Sequence, residues 1–186
     1  MTEWMLFRDK WKGGCGNAIC STARNVCLAR GSVPCDVLFV GEAPGESEDV
    51  IGRPFVGPAG KLLDRIVADA LGEFLTADDR RLSCAFANLV GCIPRNELEK
   101  AAEPDAAEIR QCSGRLNEFV GIARPRMIVA VGALARKWLE SCVTVGEGVK
   151  VVSIDHPAFI IRSNVTAQGL LIQKAVVTMS NAAEDL

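Results

Sequence analysis

Four short, predominantly apolar runs punctuate the chain: Val37 to Val40, Leu82 to Leu89, Met127 to Val131 and Val151 to Ile154. Their length, and the lack of strict apolar/polar alternation, predict strands buried on both faces. Between them the spacing changes to that of helices. Residues 58–71 carry apolar positions at Leu62, Leu63, Ile66, Val67 and Ala70, open on a proline suited to a first turn and stop at Gly72. A second helical pattern begins near Pro104 and runs through Ile109, Cys112, Leu116, Phe119 and Val120, and a third, Ala133 to Leu139, follows Gly132. Strands alternating with helices predict an α/β fold with a mainly parallel sheet covered on both faces. Ligands of such sheets bind at the carboxyl ends of the strands. The segments GEAPG, VGCIPRN, VGALA and DHPAFIIR all fall there.

Composition narrows the function classes. With 186 residues and 49% hydrophobic content, a single domain spanning residues 1–186 is expected. A formal net charge of -2 argues against a broad, non-specific electrostatic grip on nucleic acid, so any such partner must be recognised at a confined site. The N-terminal residues lack the apolar core of a signal peptide, and nothing approaches the roughly 18 apolar residues of a membrane span. A cytoplasmic protein without a membrane partner is expected. In that compartment the eight cysteines point to metal or catalytic roles more than to disulfides. Cys35, Cys84 and Cys142, next to apolar runs, read as small core residues.

The most unusual stretch is GEAPGESEDVIGRPFVGPAG, residues 41–60, with five glycines, three prolines and four carboxylates. Gly41 and Gly45 permit close backbone approach, Pro44 stiffens the turn, and Gly57 and Gly60 let the next helix pack closely. It contains neither a P-loop nor a dinucleotide fingerprint, and its carboxylates would repel phosphate. Phe55, in a loop without regular periodicity, is placed to stack on a planar ligand. His156, the only histidine, lies in DHPAFIIR, where Ala158 to Ile161 read as an apolar run in a loop closed by Arg162. An apolar wedge beside a base-contacting residue and a phosphate-seeking arginine suits a protein that unstacks a duplex.

GEAPGESEDVIGRPFVGPAGKLLD, ANLVGCIPRN and HPAFIIR, in that order, closely resemble the iron-sulfur uracil-DNA glycosylases of family four, over roughly residues 15 to 175. The resemblance implies a three-layer α/β/α sandwich around a four-stranded parallel sheet, a [4Fe-4S] cluster and a monomer acting on uracil in single- or double-stranded DNA. It implies that Phe55 stacks on a flipped uracil, Asn88 bonds its Watson-Crick edge, Ala43 lines its site and Glu48 lines the edge where thymine carries its methyl group. It implies too that His156 supports charge on the departing base and that Glu42 orients a water or stabilises the sugar cation. Arg162 and Arg53 are expected to meet DNA, with Lys61 and Arg95 nearby. Cleaving an N-glycosidic bond through a cationic transition state calls for a carboxylate near the sugar and donors at the leaving base.

Cys92 and Cys112 match the family's later pair of cluster ligands. The early pair is ordinarily Cys-x2-Cys, whereas this chain has Cys15-x4-Cys20 within a segment, residues 11–35, expected to contribute to the cluster. Cys15 and Cys20 supply that pair if the loop is repacked, with Cys27 in reserve. Ala87 stands where the family often has threonine before the asparagine. Two further readings remain open: a non-catalytic binder of uracil or abasic DNA, and an iron-sulfur electron carrier.

Overall fold

The computed structural model of the chain describes residues 1–72, 81–184 and 186. Its helices are α1 (Glu3–Trp11), α2 (Ala18–Thr22), α3 (Glu46–Ile51), α4 (Pro58–Leu71), α5 (Ala106–Ala123), α6 (Ala133–Cys142), α7 (Pro157–Arg162) and α8 (Val165–Ala183). Its strands are β1 (Arg30–Gly31), β2 (Val37–Gly41), β3 (Cys84–Asn88), β4 (Met127–Val131) and β5 (Lys150–Ile154). They form one sheet in the order β1-β3-β2-β4-β5. The last four in that order are parallel, with Val37 opposite both Cys84 and Met127, and Met127 opposite Lys150.

The four expected strands are therefore present, though β5, at the sheet edge, buries only Ile154 instead of lying buried on both faces, and the sheet is extended to five by β1, which pairs antiparallel with β3. Two residues, Arg30 and Gly31, carry no periodicity that a pattern search can find. Gly31 has φ +100, and a Cβ there would collide with the Cys84 carbonyl, so glycine is what lets this edge lie against β3.

Period-two alternation sorts the strand side chains into two cores. Leu38, Val40, Ala85, Ala87, Ile128 and Ala130 face the layer of α1, α5 and α6, meeting Phe7, Leu116, Phe119 and Trp138. Val37, Phe39, Phe86, Met127, Val129 and Ile154 face the layer of α4, α7 and α8, meeting Leu63, Ile66, Ile160 and Met179. The result is an α/β/α sandwich. Central strands enclosed on both sides leave their carboxyl ends as the place where backbone and side chains remain available.

Two loops contain more helix than the sequence pattern suggests. The residues from Ala158 to Ile161, expected as an apolar loop, lie in α7, because Pro157 fits the first turn and the Nδ1 of His156 accepts the Ala158 N–H at 3.1 Å. Ile160 is buried there, while Phe159 and Ile161 remain 52% and 43% exposed. Within the opening stretch, α3 forms behind Gly45. The second predicted helix starts at Ala106 rather than near Pro104, because Asp105 and Glu108 exchange side chain to backbone hydrogen bonds, each of 2.8 Å. Among the described residues, no helix is long and apolar enough to cross a membrane.

Candidate active site

The carboxyl ends of β2, β3, β4 and β5 bring the candidate residues together in two adjoining groups. The first surrounds Gly41, the last residue of β2, which stands opposite Asn88, the last of β3. A Cβ on Gly41 would lie 2.5 Å from Cζ of Phe55 and 2.6 Å from Oδ1 of Asn88. The ring and the amide therefore approach one another across a gap that only glycine leaves open. Asn88 is 2% exposed, yet its side-chain amide makes no hydrogen bond with any described residue. A buried amide left in that state is suited to an incoming polar partner.

Phe55 is held in place at a cost. Its φ of +56 lies in the left-handed region that a bulky residue rarely occupies. The Phe86 ring lies 6.1 Å from it, the Pro54 carbonyl accepts from Nε of Arg30 at 2.9 Å, and the Arg30 guanidinium stacks 3.8 Å above Phe86. Gly60 completes the support, since any Cβ there would run into the Phe55 carbonyl.

The second group lines a cavity of about 560 Å³ that includes Glu42, Ala43, Glu103, Gly132, His156 and Arg162. Phe55 and Asn88 are outside its lining, and the consecutive residues Gly41 and Glu42 join the two groups. Gly132, at φ +100 after β4, lies between Glu42 and His156: a Cβ there would stand 2.8 Å from Oε1 of Glu42 and 3.2 Å from the His156 side chain. Burial raises the Glu42 carboxyl above its ordinary range, Glu103 adds to the effect and Arg162 offsets it in part. Burial lowers His156, and the Arg162 charge acts in the same sense. With Nδ1 accepting the Ala158 N–H, the neutral imidazole carries its proton on Nε2.

Other expected site residues have different surroundings. The Glu48 carboxylate accepts from the backbone N–H groups of Gly45, Val56 and Gly57 at 3.2, 2.9 and 2.7 Å. It fastens both ends of the opening loop, with each such charge-assisted bond contributing about 1.5–3 kcal/mol. Arg95 is tied by 2.8 and 3.2 Å ion pairs to Glu46 and Asp49, so the segment covering the cavity is tethered to α3. Arg53 lies in a separate groove beside Trp4 and Arg30. Arg162 lines the cavity and has no ion-pair partner among the described residues. Ala87 is fully buried in the sheet and lacks a hydroxyl to support Asn88.

Four thiols gather where the N-terminal segment meets the segment after β3 and α5. Cys15 and Cys20 approach to 3.8 Å between sulfurs, Cys15 also interacts with Cys112, and Cys20 with Cys92. The loop carrying the first pair turns through Gly14 and Gly16 at φ +85 and +77, and a Cβ on Gly14 would strike Cys20. Burial pushes the Cys15 thiol up to about 12 and raises Cys92 as well. For Cys112 burial also acts upward, but the Arg115 charge and hydrogen bonds outweigh it and leave this thiol below its ordinary value. Cys27 is elsewhere, donating to the Glu48 carbonyl at 3.1 Å. Among the described residues, no group of three or more Cys, His, Asp or Glu side chains is arranged to hold a metal ion as it stands.

Gly132 and Glu103 were missed as individual residues in the sequence. The first had a signal, a glycine between a strand and a helix. The second had none, because a glutamate in a polar loop reads as solvated.

A family model described as the uracil DNA glycosylase superfamily matches residues 29–179. A type-4 uracil-DNA glycosylase of Saccharolobus solfataricus is 37% identical over 116 residues, 62% of this chain and 49% of that protein. One from Thermotoga maritima is 32% identical over 151 residues, 75% of this chain and 73% of that protein. The chain spans about half the length of several archaeal relatives it matches. A crystal structure of Pedobacter heparinus SMUG2 shares the fold, with a TM-score of 0.53, 12% identity and coverage of 80% of this chain and 76% of that one. The length and identity of these matches establish that the chain belongs to the uracil DNA glycosylase superfamily, in its type-4 branch.

Proposed function

We propose that the chain is a monofunctional DNA glycosylase that flips deoxyuridine out of DNA, hydrolyses its N-glycosidic bond and leaves an abasic site for base excision repair. The observation that carries this reading is the buried, unpartnered Asn88 amide facing Phe55 across Gly41, with Glu42 the very next residue. Uracil presents a donor and an acceptor side by side, which one amide can satisfy together, while the Phe55 ring offers a stacking surface.

As the bond between C1′ and N1 breaks, its electron pair moves into the uracil ring. Neutral His156 donates from Nε2 to the charge that develops on a base oxygen. The Glu42 carboxylate stabilises the cationic sugar and orients the water that adds to C1′, accepting its proton. Phe159 and Ile161, exposed on α7 beside Arg162, supply apolar surface to fill the space that the flipped nucleotide vacates.

The thiols of Cys15, Cys20, Cys92 and Cys112 fit a [4Fe-4S] cluster in donor type, number and proximity, and Cys27 is engaged elsewhere. When bound, the cluster supplies a covalent crosslink between the N-terminal segment and the segments around Cys92 and Cys112.

The decisive assay uses anaerobically purified protein and a labelled oligonucleotide with one deoxyuridine, followed by alkali. Alkali-dependent cleavage at uracil and none at thymine is expected. Binding without cleavage would transfer the chain to the non-catalytic class. In the same assay the pH dependence tests Glu42. Because its pKa is raised and it works ionised, turnover should fall with pH starting above the ordinary glutamate range, while His156, lowered and working neutral, adds no alkaline limb. Glu42→Gln should be slow and should lose that acid limb. Persistence of the limb in Glu42→Gln would remove Glu42 from the ionisation that controls the rate.

A further inference from the structure

Arg115 is the bulkiest completely buried side chain among the described residues, and no described carboxylate pairs with it. Nη1 donates to the Leu28 carbonyl at 3.2 Å, and Nη2 donates to the carbonyls of Asn88 and Leu89. Nε is buried and has no hydrogen-bond partner. It lies beside Gly91, where a Cβ would stand 3.2 Å away. Gly91 precedes Cys92, and Cys112 sits one helical turn before Arg115 on α5. The unsatisfied edge of the cation therefore lies by the segment where the two later thiols are anchored.

Carbonyl dipoles solvate a guanidinium without neutralising it, and a buried cation lacking an anion is strongly destabilising. Four thiolates around an iron-sulfur cluster bring net negative charge to the adjoining space. On the reading that these thiols hold such a cluster, we propose that Arg115 is its internal counter-ion and the positioning residue through which its presence is felt at Asn88. The same guanidinium that meets the cluster's charge holds the Asn88 carbonyl, and so sets the backbone from which the base-reading amide projects. In a stripped site the guanidinium keeps its carbonyl partners and the Cys112 thiol but loses the cluster's charge, so the backbone at Asn88 is held by a cation that nothing neutralises.

The test compares the full-length wild type with Arg115→Met and Arg115→Lys, prepared anaerobically, with iron and sulfide counted. Each is melted before and after the iron is stripped with ferricyanide and EDTA. Arg115→Met should lower the melting temperature of the loaded protein by several degrees and that of the stripped protein by clearly less, because both lose the donors to the Leu28, Asn88 and Leu89 carbonyls but only the loaded protein also loses a charge partner. The reduction potential of loaded Arg115→Met should also fall below wild type, with Arg115→Lys nearer to wild type, since a neighbouring cation favours the more negative reduced state. If stripped protein does not melt cooperatively, the potential decides. Equal shifts in both states with an unchanged potential would make Arg115 a plain structural residue and overturn the proposal, leaving the cluster intact. Iron-free wild type would instead overturn the cluster itself.

Discussion

His156→Ala is expected to slow uracil release by about 10²-fold or more under single-turnover conditions, with a much smaller change in DNA binding. Two functions are lost in that variant, and they are separable. The Nε2 donor disappears from the leaving base, and the Nδ1 acceptor disappears from the Ala158 N–H at the start of α7. Loss of such a cap costs about 0.5–2 kcal/mol, which lowers the melting temperature without touching chemistry. His156→Asn separates the two, because asparagine is a good cap whose short amide does not reach where the imidazole does. It should recover most of the stability and little of the rate. Wild-type turnover in His156→Ala would take the imidazole out of the mechanism, and recovery of rate with stability in His156→Asn would reduce its role to that of a cap.

Gly41→Ala is expected to cost about 10²-fold in excision while the protein still folds. The backbone at Gly41 lies outside the left-handed region, so alanine introduces no conformational strain, and the whole effect is steric. The new methyl would meet Cζ of Phe55 at 2.5 Å and Oδ1 of Asn88 at 2.6 Å, so one or both must move. A displacement of about 1 Å in groups that position a substrate is enough for a loss of this size, and overpacking would lower stability by about 1–3 kcal/mol. Free-uracil inhibition, kcat and thermal melting together check it. Normal inhibition by uracil and a normal rate would mean that the ring and the amide do not form the base site.

The parts of this molecule legible in the sequence were those with either continuous apolar runs or unusual chemistry. β2 and β4 are enclosed on both sides, so their runs Val37 to Val40 and Met127 to Val131 stand out with near-correct bounds. α8 escaped because its 19 residues bury only Ala175, Met179 and Ala183, and Gly169, Ser180 and two threonines blur the stripe. Glu42, Phe55, Asn88 and His156 were legible through loop composition and family resemblance, and the structure brings them to neighbouring strand ends. Their chemical roles are a separate matter, which the variants above address. Glu48 shows the limit: the family resemblance places it at the edge of the base, and its three amide partners are visible only in three dimensions. Arg115 did leave a trace, since it falls on the buried stripe of Ile109, Cys112, Leu116 and Phe119 in α5. An arginine on an amphipathic helix is ordinarily assigned to solvent, which hid it.

The pairing of surface charges around the cavity bears on how the protein would search a genome. Arg95 is held by Glu46 and Asp49, while Arg162, in the cavity lining, has no ion-pair partner among the described residues. Each phosphate that a protein neutralises on DNA releases a condensed counterion, and that release sets both the residence time on undamaged duplex and its sensitivity to salt. On the proposed function, each cation near the cavity that an acid already holds, as Arg95 is held, would release fewer ions on contact with intact DNA and so shorten the visit. Scanning would then proceed by short visits and hops rather than long one-dimensional slides, with the pause at a lesion coming from the captured base rather than from the backbone.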